Sequence, residues 1–115
     1  MDIKGPNYRV WYDPASTAVT FEGTLRLNST EEYQPIADLL DKVAHANPSG
    51  FALDVRGLSF LNSSGINVLY KFTVATRNQG DLRLAVQGSK SIPWQGKVLP
   101  NLKEFNSNVD VTLYD

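Results

Sequence analysis

The chain has 115 residues, 42% hydrophobic and 20% charged, with a net charge of −1. That length suffices for one buried core, and the near-neutral balance gives no electrostatic pull toward nucleic acid or an anionic membrane. There is no cysteine, which excludes disulfides, zinc–thiolate sites and thiol nucleophiles.

The opening residues, Met1 to Pro6, lack the apolar core of a signal peptide. No apolar run approaches a membrane span, so the expected location is the cytoplasm. Tyr8, Val10 and Tyr12 alternate with Arg9 and Trp11 and predict a strand. A turn at Asp13–Ser16 leads to a second alternating run, Thr17 to Phe21, which Leu25 and Leu27 continue past a bulge at Gly23. The two runs form an N-terminal hairpin.

Ser29 and Glu32 have capping-box spacing for a first helix. Pro35 complicates it, because proline inside a helix costs roughly 3 kcal/mol. Either the regular helix starts near Pro35, or an early turn precedes a kink there. Ile36, Leu39, Leu40, Val43 and Ala44 make its apolar stripe. Asn47 to Gly50 ends it.

Phe51, Leu53 and Val55 then mark a strand that Gly57 is expected to break, with Leu58 to Leu61 as a short crossing. Asn62-Ser63-Ser64-Gly65 brings small polar residues to the start of a second helix. From Ile66 to about Asn78 that helix is apolar nearly all round, which predicts that it is largely buried. Only a stripe of Asn67, Lys71 and Asn78, shared with Val74, should meet water. Ser64 heads this stripe one heptad before Lys71, whereas Ser63 projects toward the side of Arg77. Ser64 is therefore the hydroxyl expected to be reachable from solvent.

Asn78 to Gly80 gives a cap and turn, and Leu82, Leu84 and Val86 predict another strand. Pro93, Gly96 and Pro100 preclude one long helix in the next segment, although Leu99, Leu102 and Phe105 keep helical spacing. Val109, Val111 and Leu113 predict a closing strand. The order β-β-α-β-α-β-(short α)-β implies an α/β fold with a mixed sheet over a single domain, residues 1–115.

Little in the chain supports catalysis. No Gly-x-Ser-x-Gly elbow or phosphate-binding glycine loop is present. The one histidine, His45, lies opposite the apolar stripe of its helix, and the acidic residues lack metal-ligand spacing. The expectation is a non-enzyme with no cofactor and no metal. Asp54 could orient groups near the Asn62–Gly65 turn or be an ordinary strand residue. Trp94 is either a core plug or a loop contact. Tyr8, Trp11 and Tyr12 anchor or edge the sheet and could serve a homodimer contact. Capping alone accounts for Asn62–Gly65; the functional alternative is that the helix end binds an anion or carries a phosphate on Ser64.

The central stretch resembles the STAS domain family, the anti-sigma factor antagonists. The matching residues are Leu53-Asp-Val55, Leu58-Ser-Phe-Leu61 and Asn62-Ser-Ser-Gly65, followed by Ile66, Val68 and Leu69; Phe21 to Leu25 resembles the family's early Gly-x-Leu strand end. The resemblance implies a STAS-like fold with helices mainly on one face of the sheet. It implies a serine-phosphorylated regulator that exchanges protein partners: a serine kinase that is also an anti-sigma factor, and a phosphatase. The phosphorylated serine aligns with Ser64, and Asn62, Ser63, Gly65, Asn67 and Lys71 are the implied partner contacts. The sequence departs from the family at Asn62, where an Asp is usual, and over Ser89 to Phe105. The alternative is a STAS-like binding or scaffold module that is never phosphorylated.

Overall fold

The computed structural model describes all residues, 1–115. Six strands lie in one sheet in chain order: β1 (Asp2–Lys4), β2 (Tyr8–Asp13), β3 (Ala18–Leu25), β4 (Gly50–Leu61), β5 (Arg83–Ser89) and β6 (Val109–Tyr114). β1 to β3 pair antiparallel and β3 to β6 pair parallel. Helices α1 (Thr30–Ala46) and α2 (Ser63–Arg77) fill the first two crossovers. The third holds α3 (Pro93–Val98), a 3₁₀ turn at Leu99–Asn101 and α4 (Leu102–Phe105). Each crossover steps the same way across the sheet. Since such connections are right-handed, the helices share one face, and the expected mixed α/β sheet with its N-terminal hairpin is what forms. No helix is long and apolar enough to cross a membrane.

The core lies between that face and the helices. Val10, Val19, Phe21, Leu53, Val55, Leu84 and Val86 meet Ile36, Leu40 and Val43 of α1, Leu69 and Phe72 of α2, and Leu99 and Leu102. Three expectations need correction. β1 was not foreseen, because three residues with one half-buried Ile3 carry no periodic signal. The first helix runs unbroken from Thr30 with Ser29 as its cap, so Pro35 sits inside it. Gly57 does not break β4.

β4 absorbs two extra residues relative to β3, one between the pairs Thr20–Asp54 and Glu22–Gly57 and one between Gly23–Leu58 and Thr24–Phe60. Each extra residue is a bulge that flips which side chains point inward. Spacing therefore changes from two residues (Leu53, Val55) to three (Leu58, Leu61), yet all four are buried. A period-two reading ends the strand too early for that reason.

α2 is also less covered than predicted. Leu69, Phe72, Thr73 and Thr76 are buried, while Ile66, Val68, Tyr70 and Val74 are only half-buried. The helix has the sheet beneath it and α1 and α4 beside it, but no layer above.

Asp54 belongs to the helix-free face, not to the turn. Arg56 donates to it from Nε (3.0 Å), Nη2 (2.8 Å) and its backbone N–H (3.1 Å). This arginine fork holds the Asp54 carboxyl below the usual carboxylate range, against the opposing pull of burial. The stability gained is fully present above the unfolded value near pH 4 and is lost as pH falls through the lower folded value. Because Arg56 is half-exposed, Asp54→Asn should cost less than about 1 kcal/mol at pH 7. Urea denaturation should show that gap closing below pH 4.

Candidate functional site

Asn62 is the cap of α2 and joins three elements. Its Oδ1 accepts the Gly65 N–H (3.1 Å) and the Tyr33 hydroxyl (2.5 Å), and its Nδ2 donates to the Leu27 carbonyl (2.8 Å). Its backbone N–H bonds the Leu25 carbonyl, and its carbonyl accepts the Ile66 N–H. Burial pushes the Tyr33 phenol pKa up, so this hydroxyl stays a donor. A carboxylate could not donate to Leu27, which gives the asparagine a reason of its own at this position.

Gly65 is buried. A Cβ there would stand 2.3 Å from Leu61 Cδ1 and 2.7 Å from the Tyr33 hydroxyl. Asn62 and Gly65, read from the sequence as partner contacts, thus build the turn from within. Of the two serines, the outer one is more exposed than the one expected to face solvent. Ser63, the first residue of α2, is exposed, whereas Ser64 is half-buried because it faces α1.

Ser64 opens into a groove of about 330 Å³ between the two long helices. Thr30, Gln34, Ala37 and Asp41 line it from α1, and Ser64, Asn67, Val68 and Lys71 from α2. Three of the expected residues, Ser64, Asn67 and Lys71, therefore meet on one rim, and Ser63 lies outside it. Side chains on a helix lean toward its N-terminus, so Lys71 leans toward Ser64. Lys71 has no carboxylate partner: the ion pairs are Arg9–Asp2, Arg56–Asp54, Lys90–Asp115 and Lys103–Asp110.

The groove begins where both helices begin, at Thr30 and Ser64. With Gly65 and Ile66 satisfied by Asn62, the N–H groups of Ser63 and Ser64 have no partner within the chain. This end of α2 carries partial positive charge. Asp41 is the one carboxylate among the groove's lining residues, on the α1 wall. No imidazole serves either serine. His45 is in the last turn of α1, about 22 Å along the helix from Thr30, with Nδ1 2.7 Å from the Asp41 carbonyl oxygen.

Sequence reasoning missed Phe60 and Arg26. Phe60 is 37% exposed, and the Arg26 guanidinium lies 4.3 Å above its ring. The two bulges in β4 cancel beyond Leu58, so Phe60 shares the outward face of Asp54 and Arg56; a strand expected to end at Gly57 hides this. Trp94 is half-buried, with its Nε1 donating to the Leu58 carbonyl (2.9 Å).

No protein-family model matches the chain, and no curated protein matches it. Solved structures do. One is a chain of the Pseudomonas aeruginosa diguanylate cyclase SiaD in complex with its activator SiaC: TM-score 0.75, 15% identity, covering 99% of both chains. Apo-SiaC from Pseudomonas aeruginosa gives 0.72 at 15% identity, covering 100% of this chain and 99% of that one. An anti-sigma factor antagonist from Mycobacterium paratuberculosis gives 0.64 at 15%, covering 97% and 90%. The chain therefore has a STAS-like fold, shared with SiaC and with an anti-sigma factor antagonist.

Proposed function

We propose that this protein is a non-catalytic regulatory module that binds protein partners at the head of α2 and exchanges them when Ser64 is phosphorylated. One observation carries this reading: Ser64, Asn67 and Lys71 line a single rim of an open groove, beside backbone donors that the fold leaves free. Phosphorylation would place about −1.5 to −2 charges on that rim. It would fill the groove and reverse the sign of the surface a partner meets. A serine kinase of the anti-sigma type and a phosphatase are the proposed partners, in the cytoplasm. The SiaC complex adds a nucleotide-cyclising enzyme as a second class of target.

The exposure of Ser63 favours a second reading, in which the outer hydroxyl takes the phosphate. Mass spectrometry of protein isolated from its source cell, compared with Ser64→Ala and Ser63→Ala chains, assigns the site. Loss of the phosphoryl group in Ser64→Ala is the expected result. Ser64→Asp should weaken capture of the kinase about tenfold or more, about 1.4 kcal/mol. If Ser64→Asp changes nothing while Lys71→Ala or Asn67→Ala still weakens binding, the module is an unmodified scaffold.

A further inference from the structure

Arg26 is the first residue of the chain beyond β3, and it lies beside the α2 cap. Asn62 bonds the carbonyls of both its neighbours, Leu25 through its backbone N–H and Leu27 through Nδ2. The Arg26 backbone is thereby pinned next to Asn62, the residue that precedes Ser63 and Ser64 in the chain. Its guanidinium has no carboxylate partner and rests on the partly exposed ring of Phe60.

We infer that Arg26 senses phosphate at the head of α2: the unmodified chain stores the guanidinium on Phe60, and a phosphoserine draws it off and bares the ring. This rests on the proposed phosphorylation. A guanidinium over a solvent-exposed ring is weakly held. The same group meeting a phosphate can form two parallel charge-assisted hydrogen bonds, the stronger class of contact. Arginine suits both states because its flat, delocalised cation stacks as well as it forks. Modification would then alter the surface in two places. A dianion appears at the serine, and an aromatic ring becomes free for a partner of the modified form.

The test needs no partner and no kinase. Phosphoserine is installed during translation at position 63 or, separately, at 64 of the full chain, and its second ionisation is followed by phosphorus NMR. At one of the two positions or both, the pKa should lie about half a unit or more below that in the matching Arg26→Gln chain, a roughly threefold preference for the dianion. The Arg26 side-chain protons, expected upfield over the ring, should move downfield, toward the positions expected for them in unmodified Phe60→Leu. Identical titrations with and without Arg26 at both positions, or ring-shifted Arg26 protons that stay in place, would overturn the inference. Absence of phosphate on the protein in its source cell would count against the proposed function and leave this measurement intact.

Discussion

Gln95→Leu should cost the fold about 3 kcal/mol, because this one side chain stands in for missing strand pairing. β4 and β5 pair only from Gly50–Arg83 to Asp54–Gln87 and then part. The fully buried Gln95 of α3 enters the gap. Its Nε2 donates to the carbonyls of Val55 (2.6 Å) and Leu58 (3.0 Å), and its Oε1 accepts the Ser89 N–H (2.7 Å). An amide has both a donor and an acceptor, so it can bridge two diverging strands as a peptide group would. Leucine keeps the volume and removes both functions. Leu58 still has the Trp94 indole N–H, but Val55 and Ser89 lose the partners Gln95 supplies. Each orphaned group costs about 1–3 kcal/mol. Thermal unfolding should come about 10 °C or more earlier, and a loss under 1 kcal/mol in urea would refute the account. Gln95→Glu sharpens the test. A buried carboxylate facing two carbonyls must stay protonated, so its folded pKa is raised. Its stability should be greatest in acid and fall as pH rises above about 4, opposite to the Asp54 effect.

The sequence announced most of this architecture because most of it obeys a simple period. Leu82, Leu84 and Val86 alternate, the stripe from Ile36 to Ala44 winds at helical spacing, and both bury the residues they should. Ser29 and Asn62 were legible as caps from residue type alone. What escaped notice depends on partners distant in sequence. β4 continues through Gly57 only because β3 lies beside it, and the inward turn of Leu58 follows from the first of the two bulges. The relative exposure of Ser63 and Ser64 depends on where α1 lies. A helical wheel drawn for α2 alone does not contain that helix. Gln95 gave no signal, since a glutamine between Trp94 and Gly96 looks like any loop residue.

Asn62→Ala should destabilise the chain by about 3 kcal/mol, and Asn62→Asp, which would install the acid of the motif that the turn resembles, should also destabilise it, by about 1–2 kcal/mol. Alanine removes the α2 cap and strands two groups, the buried Tyr33 hydroxyl and the Leu27 carbonyl. Aspartate is as good a cap as asparagine and can still accept from Gly65 and Tyr33. It fails at Leu27, where it replaces a donor with a carboxylate oxygen facing a carbonyl. Motif comparison alone would read Asn62→Asp as a repair, whereas the bond to Leu27 makes it a loss. Urea denaturation of both variants decides between these readings. An Asn62→Asp chain as stable as the parent would show that Leu27 does not need the amide. A double-mutant cycle with Tyr33→Phe separates the shared hydrogen bond from the cap itself. It should return a coupling of about 1 kcal/mol, and a coupling near zero would mean that Tyr33 and Asn62 are neighbours without mutual support. The Leu27 bond also holds Arg26 against the head of α2. Asn62→Ala should therefore loosen Arg26 from Phe60, with the Arg26 side-chain resonances moving toward their positions in Phe60→Leu. Stability of the turn and the placement of the charge beside it would then depend on the same amide.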